Sequence, residues 1–224
     1  VCCLQETRCE GGSARTLGAE GTCYKLFWSG CSHGLAGVGV LVAEKCIEHV
    51  VGVQRISERL LVLRLVVGKT VLNIVSVYAP QVGRPMEKEE FLAKLERTIS
   101  DVGKDEELVV YADVNCHVGA TADGFDGVHG GKGYGARNAE GEMFLELVSA
   151  IELCVVNTWF EKEETKKVSY ESGGMRTVVD YVLVRRRKLG AVKDMKVIPG
   201  EACLPQHKLL VCVLEVKACF KRKH

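Results

Sequence analysis

The stretch that most restricts the fold is a pair of β-rich runs, residues 59–67 and 70–78, separated by nothing but Gly68 and Lys69. A two-residue link containing glycine predicts an antiparallel hairpin, because only a tight turn joins neighbouring strands over so short a gap. Ala79-Pro80 closes the second run, since proline donates no ladder hydrogen bond. Residues 108–111 (LVVY) predict another strand, which runs into Asp113, Asn115 and His117, spaced by Val114 and Cys116. Continued extended backbone would place these three polar side chains on one face. A carboxylate, an amide and an imidazole at a strand's carboxyl end suit a reaction site in an α/β protein. A turn capped by Asp113 and Asn115 is the other reading.

Further strands are expected at residues 1–4, 22–28, 37–42, 153–157, 168–170, 178–184, 191–198 and 209–216, with the Gly-rich segment 30–39 as a hairpin loop. Two amphipathic helices are expected. The first, over residues 86–102 after Pro85, carries Phe91, Leu92, Leu95 and Ile99 on one stripe. The second, over residues 139–151, turns Met143, Phe144, Leu147, Val148 and Ile151 inward. Between them, residues 119–135 form a Gly-rich segment whose irregular length marks a functional loop. Many strands, few helices and mostly hairpin links favour an α/β chain with two packed sheets and helices outside them, rather than a doubly wound parallel sheet.

At 224 residues and 47% hydrophobic content the chain can bury a full core, which fits one large domain over residues 1–217 followed by a basic tail at 218–224. No apolar run approaches the roughly 20 residues of a spanning helix, so no membrane is expected. The chain opens on Val1 in what reads as a strand already under way, so it is expected to lack its natural start. Eleven cysteines without a CxxC pair predict a reducing, intracellular setting, with Cys116, Cys154 and Cys212 as small buried hydrophobes. From Arg185 onward there are 11 Lys and Arg against 3 Asp and Glu, although the whole chain carries only +1. That end, with Arg185, Arg186, Arg187 and Lys188, suits a polyanion or is a solvated surface run.

The polar residues that end or interrupt apolar runs are Glu6, Tyr78, Asp113, Asn115, Asp180 and His207. Each has a plain alternative, such as a surface carboxylate or a core tyrosine with a wet tip. Asp180, inside VVDYVLV, demands a partner more strongly than the others. Together they suggest phosphodiester chemistry. Glu6 could hold a hard cation such as Mg²⁺ or Mn²⁺, Asp113 could align a water, and Asn115 and Tyr78 could donate to phosphate. His207, set in one tautomer by Asp180, could stabilise the developing charge.

CLQETR at residues 3–8, SVYAP at 76–80, YADVN at 111–115, VVDYVLV at 178–184 and QHKLLV at 206–211, in that order, resemble the endonuclease/exonuclease/phosphatase superfamily. HGGKGYGARNAEGE, YESGG and VLVRRRK look closer still to the endonuclease domain of RTE-type LINE retrotransposons. The resemblance implies a four-layered α/β sandwich of two packed, mostly antiparallel sheets flanked by helices, with the first strand apparently missing. It implies divalent-metal-dependent nicking of DNA, hence a nuclear setting. Residue by residue, it puts Glu6 on the metal-binding glutamate, Tyr78 on the phosphate-contacting tyrosine, Asp113 on the water-activating aspartate and Asn115 on its partner. Asp180 falls on the carboxylate that orients the histidine, His207 on that histidine, and Arg137 and Asn138 where the family touches DNA.

Three departures accompany the match. The family's first-strand asparagine precedes Val1. Pro205-Gln206-His207 stands in place of Ser-Asp-His, so Gln206 could offer metal only a neutral carbonyl. Ala112 replaces a glycine and is expected to crowd the backbone. The competing readings are a degenerate, non-catalytic binding module that keeps the fold, and, ranked lower, a lipid-headgroup phosphatase.

Overall fold

The computed structural model describes residues 1–19, 21–32, 34, 36–81, 83, 85–202 and 206–217. The basic tail expected at 218–224 and Pro205 lie outside the described residues. The chain forms two compact units, one of Val1–Ala79, Val102–Asp113 and Lys217, the other of Pro80–Asp101 and Val114–Val216.

The first unit opens with β1 (Cys2–Gln5), β2 (Gly12–Leu17), β3 (Tyr24–Ser29) and β4 (Val38–Ala43), paired antiparallel in the order β1-β4-β3-β2. A single helical turn, α1 (Glu44–Ile47), leads into β5 (Val50–Ser57), β6 (Leu60–Val67) and β7 (Thr70–Tyr78), which pair antiparallel in turn. The hairpin read from Gly68-Lys69 forms: Val67 pairs with Thr70, and Gly68 takes φ 63, a value glycine adopts without a steric penalty. β8 (Glu107–Asp113) then pairs parallel to β7. Along β6, Leu61, Leu63 and Leu65 project every second residue onto Phe27, Val38, Val40 and Val42 of the first sheet, so two sheets pack face to face within this unit. Leu60 and Val62, on the other face of β6, are buried as well, which is why the run carries no alternation.

Two strands of this unit escape sequence reading. β2 (GSARTL) is exposed along its whole length and has no apolar run to reveal it. β5 breaks register near both ends, between Val50 and Gly52 and between Arg55 and Ser57, so its apolar residues do not alternate, and Val51 and Ile56 face out. Ala112, expected to crowd its neighbours, lies buried in unbroken register beside Val77.

The second unit contains α2 (Pro85–Ser100) and α3 (Ala139–Ala150), and β9 (Leu153–Val155) paired antiparallel with β12 (Asp180–Arg185). It also holds the short hairpin of β10 (Tyr170–Ser172) and β11 (Met175–Thr177), and the hairpin of β13 (Val192–Ala202) and β14 (Lys208–Leu214). β11 too was unread, because three residues after Gly173-Gly174 carry no periodicity. The inward face of α3 differs from expectation. Gly141, Phe144, Leu145 and Val148 are buried, whereas Met143 is 37% exposed. The helix phase follows from Gly141, where a Cβ would come within 1.8 Å of the His117 carbonyl oxygen, so that side of α3 must meet the 117 backbone. Phe144 then packs 6.1 Å from the Tyr181 ring.

Residues 119–135 form no strand or helix, yet the loop has internal fastenings. His129, buried, accepts the Gly131 N–H at Nδ1 (3.0 Å), with Nε2 3.1 Å from the Gly119 carbonyl. Burial lowers its pKa, which favours the neutral ring that this pattern needs. Cys116 and Cys154 are buried and Cys212 half-buried, and burial pushes the Cys154 and Cys212 thiols up to about 11.

Leu63 sits at the centre of the two-sheet core. Leu63→Ala is expected to lower unfolding free energy by about 2–5 kcal/mol in urea melts. A loss under about 1 kcal/mol would place the core elsewhere.

Candidate active site

In the first unit the sequence candidates Glu6, Tyr78 and Asp113 meet around one phenol. Parallel register places Tyr78 beside Asp113, and the Ala79 N–H donates to the Asp113 carbonyl oxygen at 2.8 Å. Glu6 follows β1 with φ 50, a left-handed conformation rare for glutamate, and this turn delivers its carboxylate to the Tyr78 hydroxyl, which donates to Oε1 at 2.7 Å. The second carboxylate oxygen, Oε2, lies 3.9 Å from the Arg8 guanidinium.

Asp113 is 2% exposed and Tyr78 4%, so this negative charge stands in a poorly solvated place. Burial, the hydrogen bond to Glu6 and the charges of Glu6 and Asp113 all push the Tyr78 pKa well above its usual value near 10; Arg59 opposes them. The Arg59 guanidinium lies 5.0 Å from the Tyr78 ring centroid and donates to the Tyr78 and Ala79 carbonyls at 3.4 Å each. The Glu6 carboxylate offers an oxygen donor of the kind a hard divalent cation takes.

In the second unit, Asp180 opens β12, and its Oδ2 lies 3.1 Å from His207 Nδ1. Several contacts fix this pair. The Ser169 hydroxyl accepts the Val179 and Asp180 N–H groups, while the Asn157 amide donates to the Asp180 carbonyl and accepts the Val182 N–H. His207 is set by backbone pairing with Tyr170, whose ring meets the imidazole edge-on at 4.9 Å. Gln206 turns toward the β10 segment. Its Oε1 accepts from the Tyr170 hydroxyl and its Nε2 donates to Ser172 Oγ, so the carbonyl considered as a weak metal ligand already has a partner.

Asn115 does not continue the strand. β8 ends at Asp113 and Asn115 takes φ 48, so the expected common face of Asp113, Asn115 and His117 is not formed. The residue holding this bend was missed in the sequence. Lys88, 3% exposed on the inner stripe of α2, donates to the Asn115 carbonyl at 3.0 Å and pairs with Glu140 of α3. Its signal was there, since it precedes Phe91 and Leu92 by three and four positions.

The expected DNA-contact residues take structural places. Arg137 donates to the carbonyls of Val118, Thr121, Ala122 and Asp123 and pairs with Glu142. Asn138 caps α3, its Oδ1 accepting the Gly141 N–H at 2.8 Å and the His117 N–H at 3.1 Å. Arg185 is 8% exposed at the end of β12, and Arg186 donates to the Leu153 and Ser149 carbonyls. Of that basic run only Arg187 is exposed.

No protein-family model matches the chain. It is 26% identical over 184 residues to craniofacial development protein 2 of Bos taurus and of Tragulus javanicus, spanning 81% of this chain. The chain spans about a third of the length of these curated relatives (31% and 32%). Among solved structures, the endonuclease domain of TRAS1, a telomere-specific non-LTR retrotransposon, matches with a TM-score of 0.61 at 15% identity, covering 93% of this chain and 82% of that one. The AP endonuclease LMAP of Leishmania major matches with a TM-score of 0.65 at 13% identity, covering 96% and 78%. The 3'-5' exonuclease NExo of Neisseria meningitidis matches with a TM-score of 0.61 at 14% identity, covering 86% and 80%. The chain has the endonuclease/exonuclease/phosphatase fold. No described helix is long and apolar enough to cross a membrane.

The Tyr78 environment gives a pH prediction. Because its folded pKa is raised, Tyr78 contributes stability in full below its unfolded value near 10, and that contribution is lost as pH rises through the folded pKa. Spectrophotometric titration should find a tyrosine still protonated well above pH 10 that is missing from the Tyr78→Phe variant. Ordinary titration of all six tyrosines would contradict the burial and charge described.

Proposed function

We propose that this chain is a divalent-metal-dependent phosphodiesterase that nicks DNA, derived from a retrotransposon endonuclease. The observation that carries the reading is the Glu6 carboxylate bonded to the buried Tyr78 phenol, with Asp113 beside Tyr78 in the parallel register and its charge raising that phenol's pKa. The fold of the TRAS1 endonuclease domain, NExo and LMAP supports it, as do the RTE-like motifs.

Each residue takes a role its surroundings favour. Glu6 holds the cation, Mg²⁺ or Mn²⁺, through the oxygen left over when Tyr78 donates to Oε1. A cation held there would supply Lewis-acid polarisation to a phosphoryl oxygen and charge to steady the leaving oxygen. Asp113, placed at the strand end, accepts a proton from the attacking water, and Asn115, two residues on, offers its amide to the phosphate. Tyr78 orients Glu6 by donating to Oε1 in the unliganded chain and turns its one O–H to the phosphate as that binds. Asp180 holds His207 with Nδ1–H directed to its carboxylate, leaving Nε2 to stabilise charge on the phosphate. DNA backbone contact falls to Arg187 rather than to Arg137, Asn138, Arg185 or Arg186, whose polar groups or burial serve the fold. A nuclear setting follows from the substrate.

The test is nicking of supercoiled plasmid with Mg²⁺. EDTA should abolish it, and Asp113→Ala and His207→Ala should each slow it by about 10²–10⁴-fold. A folded chain that binds DNA but never nicks it, or variants that nick at the full rate, would replace this reading with a non-catalytic binding module of the same fold.

A further inference from the structure

Val114, Cys116 and Val118 are buried, and the second unit fastens the backbone of residues 114–118 from several sides. The Val114 N–H donates to the Val179 carbonyl at 2.9 Å. The Tyr181 hydroxyl accepts the Val118 N–H at 3.2 Å and lies 3.1 Å from the Cys116 carbonyl oxygen. Asn138 accepts the His117 N–H at Oδ1 and donates its own N–H to the His117 carbonyl, at 3.1 Å each. These partners are neutral. The Asn115 carbonyl differs, because it accepts from the Lys88 ammonium at 3.0 Å.

A lysine placed there is costly. Lys88 is 3% exposed, one turn into α2, and taking an ammonium out of water is offset only by a close partner. Glu140 of α3 is that partner. A buried ion pair adds little stability over two apolar side chains of similar volume, so joining α2 to α3 does not by itself call for charge. What the ammonium supplies beyond such a pair is a donor at the Asn115 carbonyl, charge-assisted and so stronger than a neutral one. His117 does not compete for Glu140 near neutral pH. Burial draws its pKa below the usual 6.5; the Glu140 charge opposes this shift and Lys88 reinforces it.

The φ of 48 at Asn115 lies in the left-handed region, unfavourable for an L-residue, so the bend has to be held by its surroundings. A grip on the carbonyl fixes the planar peptide group that follows Asn115, and with it the direction of the Asn115 Cα–Cβ bond. A displacement of a substrate-positioning group by about 1 Å is enough to slow a reaction about 10²-fold.

We propose that Lys88 is a positioning residue for the phosphodiester step, acting through the Asn115 carbonyl to aim the Asn115 amide, with Glu140 holding the ammonium in place. This role rests on the phosphate contact proposed for Asn115.

The experiment measures Mg²⁺-dependent nicking of supercoiled plasmid, as kcat and KM, and stability in urea, with circular dichroism to confirm the fold. Wild type is compared with Lys88→Met, Asn115→Ala, these two combined, and Lys88→Met/Glu140→Met, which exchanges the ion pair for apolar chains. Lys88→Met is expected to lower kcat about 10²-fold with KM little changed, as for a misplaced transition-state contact. Added to Asn115→Ala, it is expected to cost less than about threefold more, because the group it aims is already gone. Lys88→Met/Glu140→Met is expected to match wild type in urea yet nick as slowly as Lys88→Met. Recovery of nicking together with stability would make the pair a structural strut and overturn the proposal. So would a loss confined to KM, losses that multiply in full with Asn115→Ala, or failure of both Lys88 variants to fold. A folded wild type that never nicks removes the phosphodiesterase reading and the Lys88 role with it, whereas full-rate nicking by folded Lys88→Met removes the Lys88 role alone.

Discussion

Parallel pairing of β7 with β8 sets Tyr78 beside Asp113, and the candidate chemistry of the first unit depends on that register. A slip of β8 by one residue would turn Asp113 to the face opposite Tyr78. The register is held by burial on both faces of the neighbouring β6 and by the packing of its Leu61–Leu63–Leu65 face on the first sheet. Core and site are therefore one construction here. The apolar interlock that stabilises the sheets is also what keeps a carboxylate and a phenol together in a poorly solvated place, where their charges act strongly.

Local backbone strain sits at the same positions. Among the described residues five non-glycine residues take positive φ, and two of them, Glu6 and Asn115, are site candidates. Glutamate in this region is unfavourable, and it persists because the Tyr78 hydroxyl and the strand before it hold the turn. Asn115 tolerates the conformation better, and Lys88 fixes its carbonyl from α2. The second unit uses neutral hydrogen bonds to the same end. Ser169 and Asn157 fasten the backbone around Asp180, and Asn138 joins the start of α3 to His117. These supports explain why polar residues that looked like ligand contacts turned out to serve the scaffold.

Much of this was legible in the sequence, and the failures have physical causes. The 59–78 hairpin declared itself through β-rich runs and a glycine turn, because burial on both faces leaves a nearly unbroken apolar signal. β2 and β5 did not, since one is exposed throughout and the other is bulged near both ends. The motif residues were findable as polar side chains at the ends of apolar runs. Arg137 and Arg186, engaged with backbone carbonyls, show that sequence carries charge but not destination. A guanidinium with five donors can satisfy several buried carbonyls as readily as a phosphate. Lys88 was overlooked for the opposite reason: a lysine in an apolar stripe reads as an interruption until its partner, Glu140, is seen on another helix.

The proposed function assigns Glu6, Tyr78, Asp113, Asp180 and His207 to a single phosphodiester step. A double-mutant cycle on Mg²⁺-dependent nicking, Glu6→Gln against Asp180→Asn, tests it most directly, because groups that act as one machine give strongly non-additive losses. The account predicts a double variant that nicks within a few-fold of the slower single variant. Losses that multiply in full would mean that Glu6 and Asp180 act independently, and would contradict it.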